Sequence, residues 1–67
     1  MIRIVVNGRE HELEAGETIA RLLERLGLTA RYALVERNGE PVERDRYAQV
    51  ALEEGDTLVV ARPVAGG

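Results

Sequence analysis

Neither cysteine nor lysine occurs in this chain of 67 residues, and there is one histidine, two tyrosines and no tryptophan or phenylalanine. Lack of cysteine removes any disulfide framework or thiolate metal site, so the fold must rest on the 45% of residues that are apolar. A reducing cytoplasm suits such a chain and is the expected location. Lack of lysine excludes Schiff-base catalysis. His11 lies between Glu10 and Glu12, with no second histidine or cysteine to share a metal. It is read as a solvated surface residue, and no metal site, Ser-His-Asp set or Cys-His set can be assembled. The longest aliphatic runs, such as residues 58–61, fall far short of the roughly 18 residues of a membrane span, so neither a membrane nor a targeting segment is expected. The net charge of -3, with both signs interspersed, lacks the basic excess that a phosphate backbone attracts. Nucleic acid is not an expected partner.

What is present is a clear order of elements. Ile2, Ile4 and Val6 alternate with Arg3 and Val5, the period of a strand with one buried face. Asn7 and Gly8 tolerate positive φ and suit a tight hairpin turn into a polar edge strand, Arg9–Leu13. Residues 14–17 turn the chain, Thr18 caps a helix, and Ile19, Leu22, Leu23 and Leu26 form its apolar stripe. Gly27 ends the helix, with Leu28 placed for a closing apolar contact. Residues 32–37 read as a third strand. Asn38-Gly39 turns it into a short edge segment, Glu40–Val42, which Pro41 keeps at the margin. The charged residues 43–46 read as a solvated loop, after which Tyr47, Val50 and Leu52 return to the core. Glu54, Gly55 and Asp56 make a last turn before a strand at residues 57–62, ended by Pro63.

A lone helix must bury its stripe against one sheet face, and the crossover through it lets the first and last strands pair in parallel. The fold class expected is therefore α+β: a single β-grasp domain over residues 1–63, with a mixed sheet of four or five strands on one helix, followed by a flexible tail at residues 64–67. A domain so built is expected to have no cleft of about 300 Å³, the lower bound of ordinary ligand pockets, and no catalysis of its own. Ile4, Val35, Leu58 and Val60 are expected to face the helix. Val5, Leu34 and Val59 are then expected on the opposite face, where exposed aliphatics would form a partner surface.

The tail reads Pro63-Val64-Ala65-Gly66-Gly67. Proline stops pairing, and two residues without side chains can thread a narrow partner channel behind Ala65, bringing the carboxylate of Gly67 close to reacting atoms. A carboxylate ionised at neutral pH is a poor electrophile and needs activation. Transfer of AMP from ATP would give an acyl adenylate, which a sulfur nucleophile could convert to a thiocarboxylate.

Across nearly its whole length the chain resembles the ThiS family of ubiquitin-like sulfur carriers. The resemblance is carried by the Ile4-Val5-Val6-Asn7-Gly8-Arg9-Glu10 segment, by Thr18-Ile19 with Leu22-Leu23 and Leu26-Gly27, and by the segment from Val35 through Asn38-Gly39 to Glu40. Arg44, Tyr47-Ala48, Glu54-Gly55-Asp56 and Gly66-Gly67 continue it. The resemblance implies a carrier in assembly of the thiazole ring of thiamine. A ThiF-type adenylyltransferase would adenylate Gly67, a cysteine desulfurase or other persulfide donor would supply sulfur, and a ThiG-type thiazole synthase would consume the thiocarboxylate. Gly66 and Ala65 would thread with Gly67. The carrier itself would bind no cofactor, ATP and any zinc belonging to the activating enzyme. The alternatives are a carrier like the small subunit of molybdopterin synthase, whose tail this one resembles, a β-grasp binding module without chemistry, and a protein modifier. The short helix and the brief connection after it fit the ThiS family better.

Overall fold

The computed structural model describes residues 1–62. Strand β1, Ile2–Val6, turns at Asn7 (φ 50°) and Gly8 (φ 83°) into β2, Arg9–Leu13. Helix α1 follows at Ile19–Arg25, then β3 at Leu34–Arg37, β4 at Glu40–Val42 and β5 at Thr57–Ala61. The sheet has the order β2-β1-β5-β3-β4. The parallel pair β1 and β5 lies at its centre, with Val5 opposite Thr57 and Val6 opposite Leu58; the other neighbours are antiparallel. This is the expected β-grasp architecture, with five strands. The flexible tail expected at residues 64–67, and the boundary at Pro63, lie outside the described residues.

Ile4, Val6, Val35, Leu58 and Val60 are buried on one sheet face with Ile19, Leu22 and Leu23 of α1. Removing a side chain of this size from water contributes about 1.5–3 kcal/mol each, enough to fix which face the helix covers. Leu26, the last member of the stripe, is half-buried against the same core. Gly27 adopts φ 75° after the helix, its N–H donates to the carbonyl of Glu24 at 3.0 Å, and the N–H of Leu28 donates to that of Leu23 at 2.9 Å. That pair of bonds is the Schellman closure, and it needs a residue at ease with positive φ.

The segment after β4 is tied to the start of α1. The N–H groups of Ile19 and Ala20 donate to the carbonyls of Val50 and Tyr47, while that of Arg21 donates to Oγ1 of Thr18 at 3.2 Å. Donors orphaned at a helix start are thus satisfied by the loop, which explains why Tyr47 and Leu52 are buried. Val50, expected in the core, is half-buried at its margin.

Three expectations need correction. Tyr32 belongs to a 3-10 turn, Ala30–Tyr32, and β3 begins at Leu34, because the N–H groups of Tyr32 and Ala33 are taken by Thr29 and Ala30 rather than by a strand. The charged loop contains a second 3-10 turn, Arg44–Arg46, all of it exposed. Strand β5 ends at Ala61, one residue short of Arg62, where its partner β3 runs out at Leu34.

Candidate functional site

Ala65, Gly66 and Gly67, to which the sequence assigns threading and acyl chemistry, lie outside the described residues. The described part of the site is the strand that leads to them. β5 occupies the middle of the sheet, and its backbone is held at both ends by the turns of the flanking hairpins. Asn7 accepts a hydrogen bond at Oδ1 from the N–H of Val60 at 2.9 Å and donates through Nδ2 to the Val60 carbonyl at 3.0 Å. Asn38, at φ 51° before Gly39, accepts at Oδ1 from the N–H of Thr57 at 2.9 Å. Sequence reading took both asparagines as turn residues only. Their side-chain partners are 53 and 19 residues away, beyond the reach of any local signal.

The start of β5 is further secured by Asp56, a buried acid that reads in the sequence as an ordinary turn residue. Its carboxylate accepts from the N–H of Glu53 at 2.8 Å, from Nδ2 of Asn38 at 3.1 Å and from Nε of Arg37 at 2.9 Å. Burial pushes the carboxyl up, but these three donors outweigh it and hold Asp56 below the ordinary carboxylate value. Arg37 also reaches Glu53 at 3.1 Å. Its guanidinium is raised, chiefly by the bond to Asp56.

Register shows which sheet face carries the three aliphatics expected at a partner surface. Leu34 lies opposite Ala61, Glu36 opposite Val59 and Val5 opposite Thr57, so Val5, Leu34 and Val59 share the face turned away from α1. Leu34 and Val59 are 52% and 49% exposed, large values for aliphatic side chains. They border one shallow apolar depression of about 280 Å³ with Pro41 and Ala61, two residues the sequence reading missed. Val5 stands apart from it, half-buried and flanked by Glu10 of β2. The patch is therefore Leu34 and Val59 with their neighbours, and Val5 is only its margin. A second depression of about 310 Å³ lies beside β4, with Arg37, Glu40, Glu43 and Arg46 mixing charges on its wall. The apolar depression falls short of the roughly 300 Å³ at which ordinary ligand pockets begin, and the charged one just reaches it, so the expectation that no cleft of that size exists needs correction at the second alone.

His11 faces the same side as its cross-strand partner Ile4 and is half-buried rather than fully solvated. Among the described residues no three histidine, cysteine or acidic side chains are placed to hold a metal ion, and no helix is long and apolar enough to cross a membrane.

The ThiS family model matches residues 3–67. The chain belongs to the ThiS family. Its members are small ubiquitin-like sulfur carriers rather than catalysts. The chain is similar to the sulfur carrier protein ThiS of Escherichia coli, 30% identical over 66 residues that span 98% of this chain and 100% of that protein. It is similar in fold to the crystal structure of a thiamine biosynthesis protein (ThiS) from Geobacter metallireducens, with a TM-score of 0.82, 28% identity and coverage of 98% and 100% of the two chains. A thiazole synthase of Paramagnetospirillum magneticum is 41% identical over 66 residues. This chain spans 20% of that relative's length, so a ThiS-like segment is one part of the longer protein.

Proposed function

We propose that this chain carries sulfur for thiazole formation in thiamine biosynthesis as a thiocarboxylate on Gly67. The observation that carries the reading is the extent of the family match, which runs through Gly66 and Gly67 and includes the strand before them. A ThiF-type adenylyltransferase joins a carboxylate oxygen of Gly67 to the α-phosphorus of ATP and releases pyrophosphate. A sulfur nucleophile from a persulfide donor, such as a cysteine desulfurase, attacks the acyl carbon and displaces AMP. Thiol cleavage of the sulfur–sulfur bond then leaves the thiocarboxylate. Glycine at positions 66 and 67, behind the small Ala65, lets the reacting carbon enter a narrow channel. Leu34 and Val59, with Val5 at the margin, supply the face on which partners dock.

The recipient is a ThiG-type thiazole synthase. Support comes from the thiazole synthase relative that contains a ThiS-like segment within its own chain. The carrier contributes no cofactor, and ATP is a substrate of the activating enzyme.

Incubation with ATP, a ThiF-type enzyme and a sulfur source should add about 16 Da, one oxygen exchanged for sulfur. Deleting Gly67 should abolish the gain. A gain that survives the deletion refutes the assignment, as does natural protein whose chain continues past Gly67 and is never cut there. Supplying the product to a thiazole synthase and, separately, to a molybdopterin synthase large subunit identifies the pathway.

A further inference from the structure

The two Asn-Gly turns belong to different hairpins, and each places its asparagine amide on the backbone of β5. β1 runs parallel to β5 and β3 antiparallel, so the turn after β1 meets the late part of β5 while the turn after β3 meets its beginning. Asn38 therefore holds Thr57 and Asn7 holds Val60. The contact of Asn7 is the more complete of the two. β1 ends at Val6, whose partner is Leu58, and the N–H of Asn7 still donates to the Leu58 carbonyl at 2.9 Å. Beyond that point β1 has no backbone left to offer. The side-chain amide of Asn7 replaces it, taking the N–H and the carbonyl of Val60, which in a continued parallel ladder would be met by the carbonyl of residue 7 and the N–H of residue 9.

We propose that Asn7 is a positioning residue for the carrier reaction: its amide extends the central ladder by one rung and so fixes the direction in which β5 leaves the sheet toward Gly67. The inference rests on the carrier reading. On the other side β5 is held through Ala61 by Leu34, a residue of the exposed patch. Patch and exit direction are thus set by adjacent residues, and a partner docked on Leu34 and Val59 meets the end of β5 at a defined heading. Loss of the Asn7 rung leaves the docking face intact and lets that heading vary.

Asn7→Gly tests this, because glycine accepts the φ of 50° at this turn and removes only the amide. Asn38→Gly removes the amide at the other end of β5 together with its bond to Asp56, and so controls for general destabilisation. Asn7→Asp keeps an acceptor for Val60 N–H and loses the donor, giving a second variant should the first fold poorly. The measurement is ATP–pyrophosphate exchange by a ThiF-type enzyme at varied carrier concentration, with amide hydrogen exchange of Val60 followed in the free carrier. Expected is a kcat lower by about tenfold or more in Asn7→Gly with KM little changed, a smaller loss in Asn7→Asp, and a kcat near wild type in Asn38→Gly. Val60 N–H should exchange faster in Asn7→Gly. Faster exchange at Val60 with an unaltered kcat overturns the proposal, and so does an equal loss in Asn38→Gly, which marks general destabilisation. If the wild-type chain supports no exchange at all, the carrier reading falls and takes this inference with it.

Discussion

Asp56 is the most buried acidic residue among the described residues, and its position depends on its own turn, on the turn after β3 and on the last residue of β3. Backbone N–H of Glu53, amide of Asn38 and guanidinium of Arg37 all converge on its two oxygens. Removing that charge leaves Arg37 without its closest partner and weakens the side-chain tie between the end of β3 and the residue before β5, while the backbone ladder remains. Asp56→Asn should cost about 1.5–3 kcal/mol at neutral pH, the usual worth of a hydrogen bond to a charged group, measurable as a lower midpoint in urea. The sign of the pH dependence follows from the direction of the shift. Asp56 is held below its ordinary 3.8, so its contribution is complete above that value and is lost as pH falls through the lower folded-state value. The gap between wild type and Asp56→Asn should therefore be constant from pH 7 to about pH 5 and close in stronger acid. A gap that persists undiminished below pH 2 would mean that packing, not ionisation, sets the effect. None of this was legible in Glu54-Gly55-Asp56 as a string, since a turn aspartate is ordinarily solvated. What decides otherwise is Arg37, brought in from 19 residues away by the β3–β5 pairing.

At the scale of elements, those whose governing contacts lie within about five residues were the most legible. Thr18 caps α1 through Arg21, and Gly27 closes it through bonds to Glu24 and Leu23, as expected from sequence. The hairpin turns at Asn7-Gly8 and Asn38-Gly39 were equally plain, because few residue pairs tolerate two successive positive φ values. The start of β3 was not, because Tyr32 is a good strand former but its N–H and that of Ala33 are captured by the turn before them. The loop after β4 was legible only as apolar residues returning to the core, and its docking on the helix start was hidden. That docking makes α1 a joint product of Thr18 and of the carbonyls of Tyr47 and Val50. Thr18→Ala should lower stability by about 1 kcal/mol, the usual worth of a cap. For a chain of this length that corresponds to a melting temperature about 4–8 °C lower, with Thr18→Ser restoring most of it. A melting temperature unchanged by the alanine would show that the loop carbonyls hold the helix start unaided.

For the whole molecule, the β-grasp arrangement puts the core and the exposed apolar patch on opposite faces of one sheet. Ile4, Val35, Leu58 and Val60 are buried under α1, while Leu34 and Val59 stand about half exposed on the other side. The alternation of apolar residues along β1, β3 and β5 made that division legible. Which outward residues gather into one patch depended on strand order: β5 sits between β1 and β3, and only the β3 side has Pro41 and Ala61 to complete an apolar depression. Val5, across β5 and beside Glu10, is left out. Partner binding should follow this grading. Leu34→Asp and Val59→Asp each introduce a charge where a partner would have to desolvate it, and each should weaken binding to the adenylating enzyme tenfold or more, about the 1–2 kcal/mol of an interface anchor. Val5→Asp should weaken it less, while costing more stability because that side chain is half-buried. Calorimetric titration of the three variants, with a thermal melt of each, separates the two quantities. Equal losses from all three would spread the interface across the whole face. Unchanged binding by Leu34→Asp and Val59→Asp would remove the face from recognition altogether, leaving the tail as the contact that partners read.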